Sequence, residues 1–263
     1  MLTEEQIAFF RENGYILVKG LLTKEEAAMY RQEVHDLLAR LQQYDEMDAA
    51  WASGKETSAE AKNTKIFHCH NVQFYSAAFS RLMVDERVTG VASDVIGSPN
   101  VQLHHSKMFV KPPEKGAAFP MHQDAPYFPH DNHSMIAVIL FFDSSSEEKG
   151  CVRVVPGSHK NGILEHTPEG GWHLPFEQYP ISSAVPCPAE AGDALYFSYL
   201  TVHGSGINRS NEPRTTLLIQ MRDPADNPTV KVHLSRGQGM ILRGIDPLSK
   251  PKTMEPEKDE EDA

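Results

Sequence analysis

Apolar positions over the first hundred residues recur at helical spacing. Ala27, Tyr30, Val34, Leu37, Leu38 and Leu41 follow one another at steps of mostly three and four, predicting a helix with one face on a core. Two capping boxes mark helix starts, Thr3 with Gln6 and Thr23 with Glu26, each a hydroxyl followed three residues later by a carboxamide or carboxylate. Between them GYILVKG is short, β-branched and bounded by glycine, which predicts a strand. A further helix is expected over 84–96, where Val84, Val88, Val91 and Val95 recur before GSPN breaks it. From residue 101 the period changes. VQLHHSKMFVK, SMIAVILFFD, CVRVVPG, DALYFSYLTVH, RTTLLIQMRD and TVKVHL are short extended runs between Pro, Gly and Ser-rich turns, a series that predicts a sandwich or closed barrel. SMIAVILFFD is apolar on both alternating faces, as suits a strand in the middle of such a structure. Residues 44–64 are polar, small and aperiodic, and read as a loop and candidate lid.

Composition narrows the class. The chain has 263 residues, enough for a full core, and β structures of this size often form one domain. One domain is expected over 1–250, followed by an acidic, disordered tail at 251–263, whose last nine residues carry -5 of the net charge of -11. The rest of the body is also acidic, which argues against nucleic acid and favours a small-molecule substrate. No apolar run approaches a membrane span, and the N-terminus lacks a secretion pattern, so the expected setting is cytoplasmic and the expected state a monomer or homodimer. Cys69, Cys151 and Cys187 are an odd number without metal spacing, which argues against a disulfide framework.

Candidate chemistry begins with MHQDAPYFPH, where His122 and Asp124 lie two residues apart, so on a strand they would share a face with Gln123 turned away. With 13 histidines, about one His-x-Asp pair arises by chance, so the pair alone is weak. TVHGSGINRSNEPRTTLLIQ adds a second observation: His203 is expected to end one strand and Arg214 to open the next, a hairpin placing both near one barrel mouth. Two histidines and one carboxylate on one face of an octahedron form the non-haem Fe(II) oxygenase arrangement, leaving three positions open. A 2-oxo acid can fill two and dioxygen the third, while the distal carboxylate needs a planar, permanently charged fork such as Arg214.

These landmarks carry a family resemblance. LTEEQIAFFRENGYILVKGLLTKEEAAMYRQEV, FPMHQDAPYF, EEKGCVRVVPGSHKNG and GDALYFSYLTVHGSGINRSNEPR stand in the order found in the phytanoyl-CoA dioxygenase family of Fe(II) and 2-oxoglutarate dependent oxygenases, which the chain resembles from residue 2 to about 223. The resemblance implies a mainly β fold: a double-stranded β-helix (jelly roll, cupin-like) core over 99–235, with a helical N-terminal part, 1–98, packed outside. It implies Fe(II) held by His122, Asp124 and His203, with Arg214 and Ser205 on the distal carboxylate of 2-oxoglutarate and O2 as second cosubstrate. His105 stands where family members often carry a Gln or Thr touching the cosubstrate, a departure from the pattern. Related halogenases replace the carboxylate ligand with a small residue, and Asp124 argues against that chemistry. The implied reaction is hydroxylation or a related oxidation of a small organic substrate, with succinate and CO2 as coproducts.

Each residue also has a plainer reading. For Arg214 it is a surface ion pair, for Ser205 a turn hydroxyl and for His105 a satisfied strand histidine. FHCH, with His68, Cys69 and His70, has soft and imidazole ligands but no partner pair at zinc-like spacing, so His70 facing the substrate is the stronger expectation. His159 in PGSHK is expected to shape a turn. Lys107, Tyr127, Phe128 and Trp172 are expected around the substrate pocket. Desaturation or rearrangement at the same iron, a non-catalytic jelly-roll binding protein, and a zinc-type hydrolase stand as alternatives.

Overall fold

The structure is a computed structural model that describes residues 1–42, 64–167 and 172–250. The expected loop at 44–64 falls, but for Thr64, outside the described residues, as does the acidic tail. Helix α1 (Glu4–Asn13) opens on the Thr3–Gln6 capping box and closes on Gly14, whose left-handed φ of 78° lets its amide return to the Phe10 carbonyl at 2.7 Å. Strand β1 (Tyr15–Val18) follows, then α2 (Lys24–Leu41) behind the Thr23–Glu26 box, burying the expected stripe. After β2 (Phe67–His70) come α3 (Ala77–Met83), which was not expected and is started by the Ser76 hydroxyl, and α4 (Glu86–Ile96), the expected helix, started by Asp85. Asp85 sets the start of α4 two residues after the expected one, because its carboxylate caps the helix, accepting from the Arg87 amide.

Then follow β3 (Val101–Lys111), β4 (Phe119–His122), β5 (Ile136–Phe141), β6 (Val152–Val154), β7 (Val185–Cys187), β8 (Ala194–Ser198), β9 (His203–Ser205), β10 (Arg214–Arg222) and β11 (Ile241–Arg243). They form two antiparallel sheets, the larger ordered β1-β8-β5-β10-β3-β11 with β2 also on β3, the smaller ordered β4-β9-β6-β7. This is the expected jelly roll. The sheet strands reach beyond 99–235, since β1 and β2 come from the N-terminal part and β11 lies past residue 235.

Two cores explain the strand patterns. On one face of the large sheet Ile136, Val138 and Leu140 of β5 and Leu217, Ile219 and Met221 of β10 pack under the helices. On the other, Ala137, Phe141, Leu195 and Phe197 meet Val152, Val154 and Cys187 of the small sheet. A strand between helices and a second sheet must be apolar on both faces, hence SMIAVILFFD. The three cysteines are buried and free. No helix among the described residues is long and apolar enough to cross a membrane.

Three expectations need correction. DALYFSYLTVH is two strands, because the chain leaves the large sheet after Ser198 and enters the small one at His203; the crossover is held by Thr201, whose hydroxyl donates to the Gly14 carbonyl at 2.8 Å. His203 therefore begins β9, and β9 and β10 belong to different sheets rather than one hairpin. TVKVHL forms no strand: its apolar residues Val230, Val232 and Leu234 are exposed and it has no sheet partner to bury them.

Candidate metal centre

Strand β4 ends at His122, which sits directly opposite His203 of β9, with ring centroids 4.3 Å apart. The Nδ1 of His122 lies 2.7 Å from the Pro120 carbonyl and that of His203 lies 3.0 Å from the Thr201 carbonyl. A carbonyl only accepts, so each Nδ1 carries the proton and each Nε2 presents a lone pair. Asp124 reaches the same point by a different route from the one the alternation predicts. Its backbone is helical (φ -78°, ψ -29°), opening a short 3-10 turn, Ala125–Tyr127, and both its amide and that of Ala125 donate to the Tyr199 carbonyl. Gln123 does turn away, fully buried, donating to the carbonyls of Gly162 and Leu200 at 2.9 and 2.6 Å. One Asp124 oxygen stands 3.6 Å from His122 Nε2 and 3.8 Å from His203 Nε2, and the other accepts from Gln220 at 2.6 Å. One ligand atom from each of the three residues lies within 4.8 Å of the others.

Electrostatics favour the ligand forms. Burial raises the Asp124 carboxyl, but His203, His122 and the Gln220 hydrogen bond together hold it well below the usual carboxylate range. Burial, then His122, pushes His203 down to about 4. An ionised carboxylate beside imidazole lone pairs is the donor set a divalent ion of intermediate softness requires.

The pocket around the triad follows β10, where the strand pleat turns Arg214, Thr216, Leu218 and Gln220 to one side. Arg214 closes one end, 4% exposed. It donates one N–H to the Gly150 carbonyl, while its Nε is buried without a hydrogen-bond partner. Burial lowers it to about 10, so it remains a cation at neutral pH. Lys111, opposite Arg214 in register, donates to Ser205 Oγ at 2.7 Å and to the Gly206 carbonyl at 2.6 Å. An ammonium cannot accept, so Ser205 keeps its own proton to donate elsewhere.

His105 faces the pocket opposite Gln220, at the end away from Arg214. A bulge puts it there. His105 pairs Gln220 but Leu103 pairs Met221, so His104 is an extra residue that switches which parity faces inward. The contact expected of His105 toward the cosubstrate is thus displaced along β3, where Lys107 and Phe109 stand between it and Lys111. His70, Lys107, Tyr127 and Phe128 all line the pocket. Trp172 does not. It is 49% exposed outside the lining, with its carbonyl accepting from the Tyr127 hydroxyl at 2.5 Å. FHCH makes no second metal group among the described residues, because β2 alternates and Cys69 faces the helix core while His70 faces the pocket. His159 shapes a 3-10 turn, Ser158–Asn161, as expected.

Three contributors escaped sequence reasoning. Gln220 was findable, since counting by twos from Arg214 along RTTLLIQ ends on it. Lys111 was also within reach at the inner end of VQLHHSKMFVK. His233 was not: it enters the lining from a loop, at φ 56° and without periodic signal.

Comparison with known proteins agrees with this geometry. The family model described as phytanoyl-CoA dioxygenase (PhyH) matches residues 10–216. A probable phytanoyl-CoA dioxygenase of Caenorhabditis elegans is 30% identical over 230 residues, 80% of this chain and 72% of the relative. The 2-aminoethylphosphonate dioxygenase of uncultured bacterium HF130_AEPn_1 is 28% identical, over 82% of this chain and 80% of its own. In fold, the crystal structure of the epimerase SnoN with Fe3+, alpha-ketoglutarate and nogalamycin RO superposes with a TM-score of 0.71 at 24% identity, covering 91% of this chain and 98% of the other. With the family model spanning the helical opening, the triad and the fork arginine, this chain belongs to the phytanoyl-CoA dioxygenase family.

Proposed function

We propose that His122, Asp124 and His203 hold Fe(II), that Arg214 and Ser205 hold the distal carboxylate of 2-oxoglutarate, and that the protein oxidises a small organic substrate placed at the opposite end of the pocket. The protein is an Fe(II) and 2-oxoglutarate dependent dioxygenase. The observation that carries this reading is the convergence of two imidazole lone pairs and an ionised carboxylate, in one pocket with an arginine whose buried Nε has no partner. That orphaned donor is what a carboxylate would satisfy.

When bound, the ferrous ion supplies the electrons that activate O2 as 2-oxoglutarate is decarboxylated to succinate and CO2. The chain does the remaining work. Gln220 holds one Asp124 oxygen and leaves the other for the ligand position. The Pro120 and Thr201 carbonyls hold both imidazoles in the ligating tautomer. Lys111 orients the Ser205 hydroxyl, and Arg214 supplies a fork already partly immobilised on Gly150. Leu218 and Phe109 line the stretch between with apolar surface and keep water from it. Tyr127, Phe128 and His105 bound the end where a substrate C–H bond would approach, and the placement of that bond there decides among hydroxylation, desaturation and rearrangement.

Anaerobic titration of the Fe(II)-loaded protein with 2-oxoglutarate tests the reading. A visible metal-to-ligand charge-transfer band is expected, lost in Asp124→Ala and weakened in Arg214→Ala. No band in a folded, iron-loaded sample would sink it. Succinate formed only with the protein and O2 present excludes a binding protein without turnover.

A further inference from the structure

The chain leaves the strand ladder between two of the triad residues. Strand β4 pairs β9 only as far as His122, and Asp124 already has helical backbone, so sheet register does not fix the step from one ligand to the next. Gln123 makes that step, fully buried, with its amide and its whole carboxamide engaged. The amide donates to His166 Nε2 at 2.9 Å. The side-chain oxygen accepts from the Leu164 amide at 2.8 Å, and the side-chain nitrogen donates to the carbonyls of Gly162 and Leu200.

Gly162, Leu164 and His166 are alternate residues of one extended run. Gly162, at a left-handed φ of 68°, turns the chain out of the 3-10 turn Ser158–Asn161. From there half-buried and exposed residues alternate, with Ile163 and Glu165 outward and the three partners of Gln123 inward. Further on the chain returns to the same place: the Thr167 amide donates to the His173 carbonyl at 2.8 Å, and the Leu174 amide to the Met121 carbonyl at 2.9 Å. This segment therefore holds the ligand turn from outside, at residues 121 and 123.

His166 holds the backbone itself. An amide only donates, so Nε2 carries a lone pair and the ring proton sits on Nδ1, 3.0 Å from the Leu164 carbonyl. Burial lowers the imidazole below its ordinary range and favours this neutral form. An apolar side chain at 166 would leave the Gln123 amide without its acceptor and release the peptide between His122 and Gln123, so that one ligand moves relative to the other.

We propose that His166 is a positioning residue of the metal centre: by accepting from the Gln123 amide it fixes the peptide between His122 and Asp124 and so sets how the two ligands meet the ion. The role rests on the dioxygenase reading above and deepens it. Gln220 acts on the Asp124 carboxylate, whereas His166 acts through the backbone. A brace serving the fold alone would lower the unfolding midpoint and leave the affinity of the folded protein for the ion unchanged.

His166→Leu and His166→Gln separate the two roles, because a glutamine oxygen reaches about as far as Nε2 and still accepts. Fe(II) affinity, read under argon by competition with a chromogenic chelator, is expected to fall about tenfold or more in folded His166→Leu and to stay within about threefold of the wild type in His166→Gln. Hydrogen exchange of the metal-free wild-type protein needs neither ion nor variant. There the Gln123 amide is expected to exchange as slowly as those of Asp124 and Ala125, which the Tyr199 carbonyl holds. In His166→Leu it should exchange about tenfold faster or more, with the amides of β5 and β10 unchanged. Equal Fe(II) affinity in folded His166→Leu, equal loss in both variants, or an unprotected Gln123 amide in the wild type overturns the proposal alone. A wild type that binds no Fe(II) overturns the dioxygenase reading and the proposal with it.

Discussion

Lys111 and Ser205 show how one buried residue sets the behaviour of another. The Lys111 ammonium occupies an acceptor site of the Ser205 hydroxyl, so the serine proton is directed away from it instead of rotating among partners. Lys111→Met keeps a long unbranched side chain in the buried space and removes that constraint. The expected result is a fivefold to tenfold loss of 2-oxoglutarate affinity in the anaerobic titration, about one net hydrogen bond or roughly 1 kcal/mol. Arg214→Ala should cost about a hundredfold, because it removes a charged, bidentate partner. Equal losses in the two variants would mean that Lys111 acts on the carboxylate itself.

At the scale of elements, short strands and their junctions place the ligands. The turn after α1 is one such junction. The Gly14 carbonyl accepts from the Ser198 amide at 2.9 Å and from the Thr201 hydroxyl at 2.8 Å, tying the helix to the crossover that delivers His203. Gly14 has φ 78°, and a Cβ there would come within 2.6 Å of Thr201 Oγ1. Gly14→Ala is therefore expected to destabilise the protein by about 2–3 kcal/mol in denaturant unfolding, through left-handed strain and the steric conflict together. A change below about 0.5 kcal/mol would show that the crossover does not depend on this junction. The bulge at His104 acts similarly on β3, setting Leu103 on the helix core and His105 in the pocket although both numbers are odd.

For the whole molecule, buried neutral histidines link the fold to pH. Burial is the first cause that lowers His68 and His104 to about 3 and His70 to about 4, from an ordinary value of 6.5. A base whose folded pKa is depressed takes up protons more readily when unfolded. Its stabilising effect is therefore intact above about 6.5 and is lost as pH falls from there toward 4. Each such histidine contributes at most about 1.4 kcal/mol per pH unit in that window, less for the partly exposed pair on β2. Unfolding midpoints should fall between pH 7 and 5, and His104→Leu, at a site with 0% exposure and an unpartnered Nε2, should flatten that slope. An unchanged slope would place the acid sensitivity elsewhere.

The sequence by itself determined a good deal: the capped helices, a strand series dense enough for a jelly roll, and the triad and fork residues with their family. These are local properties, since helical and strand periods, caps and short motifs are written in neighbouring residues. The tertiary structure alone decided that His122 faces His203 across β4 and β9, that Asp124 arrives through a turn, and that Gln220 holds its second oxygen. It also decided that His105 lies away from the fork and that Lys107 stands opposite His70. Partner choice and register come from burying two sheet faces at once. A bulge or a change of sheet alters which side chains meet without leaving a repeating signal along the chain.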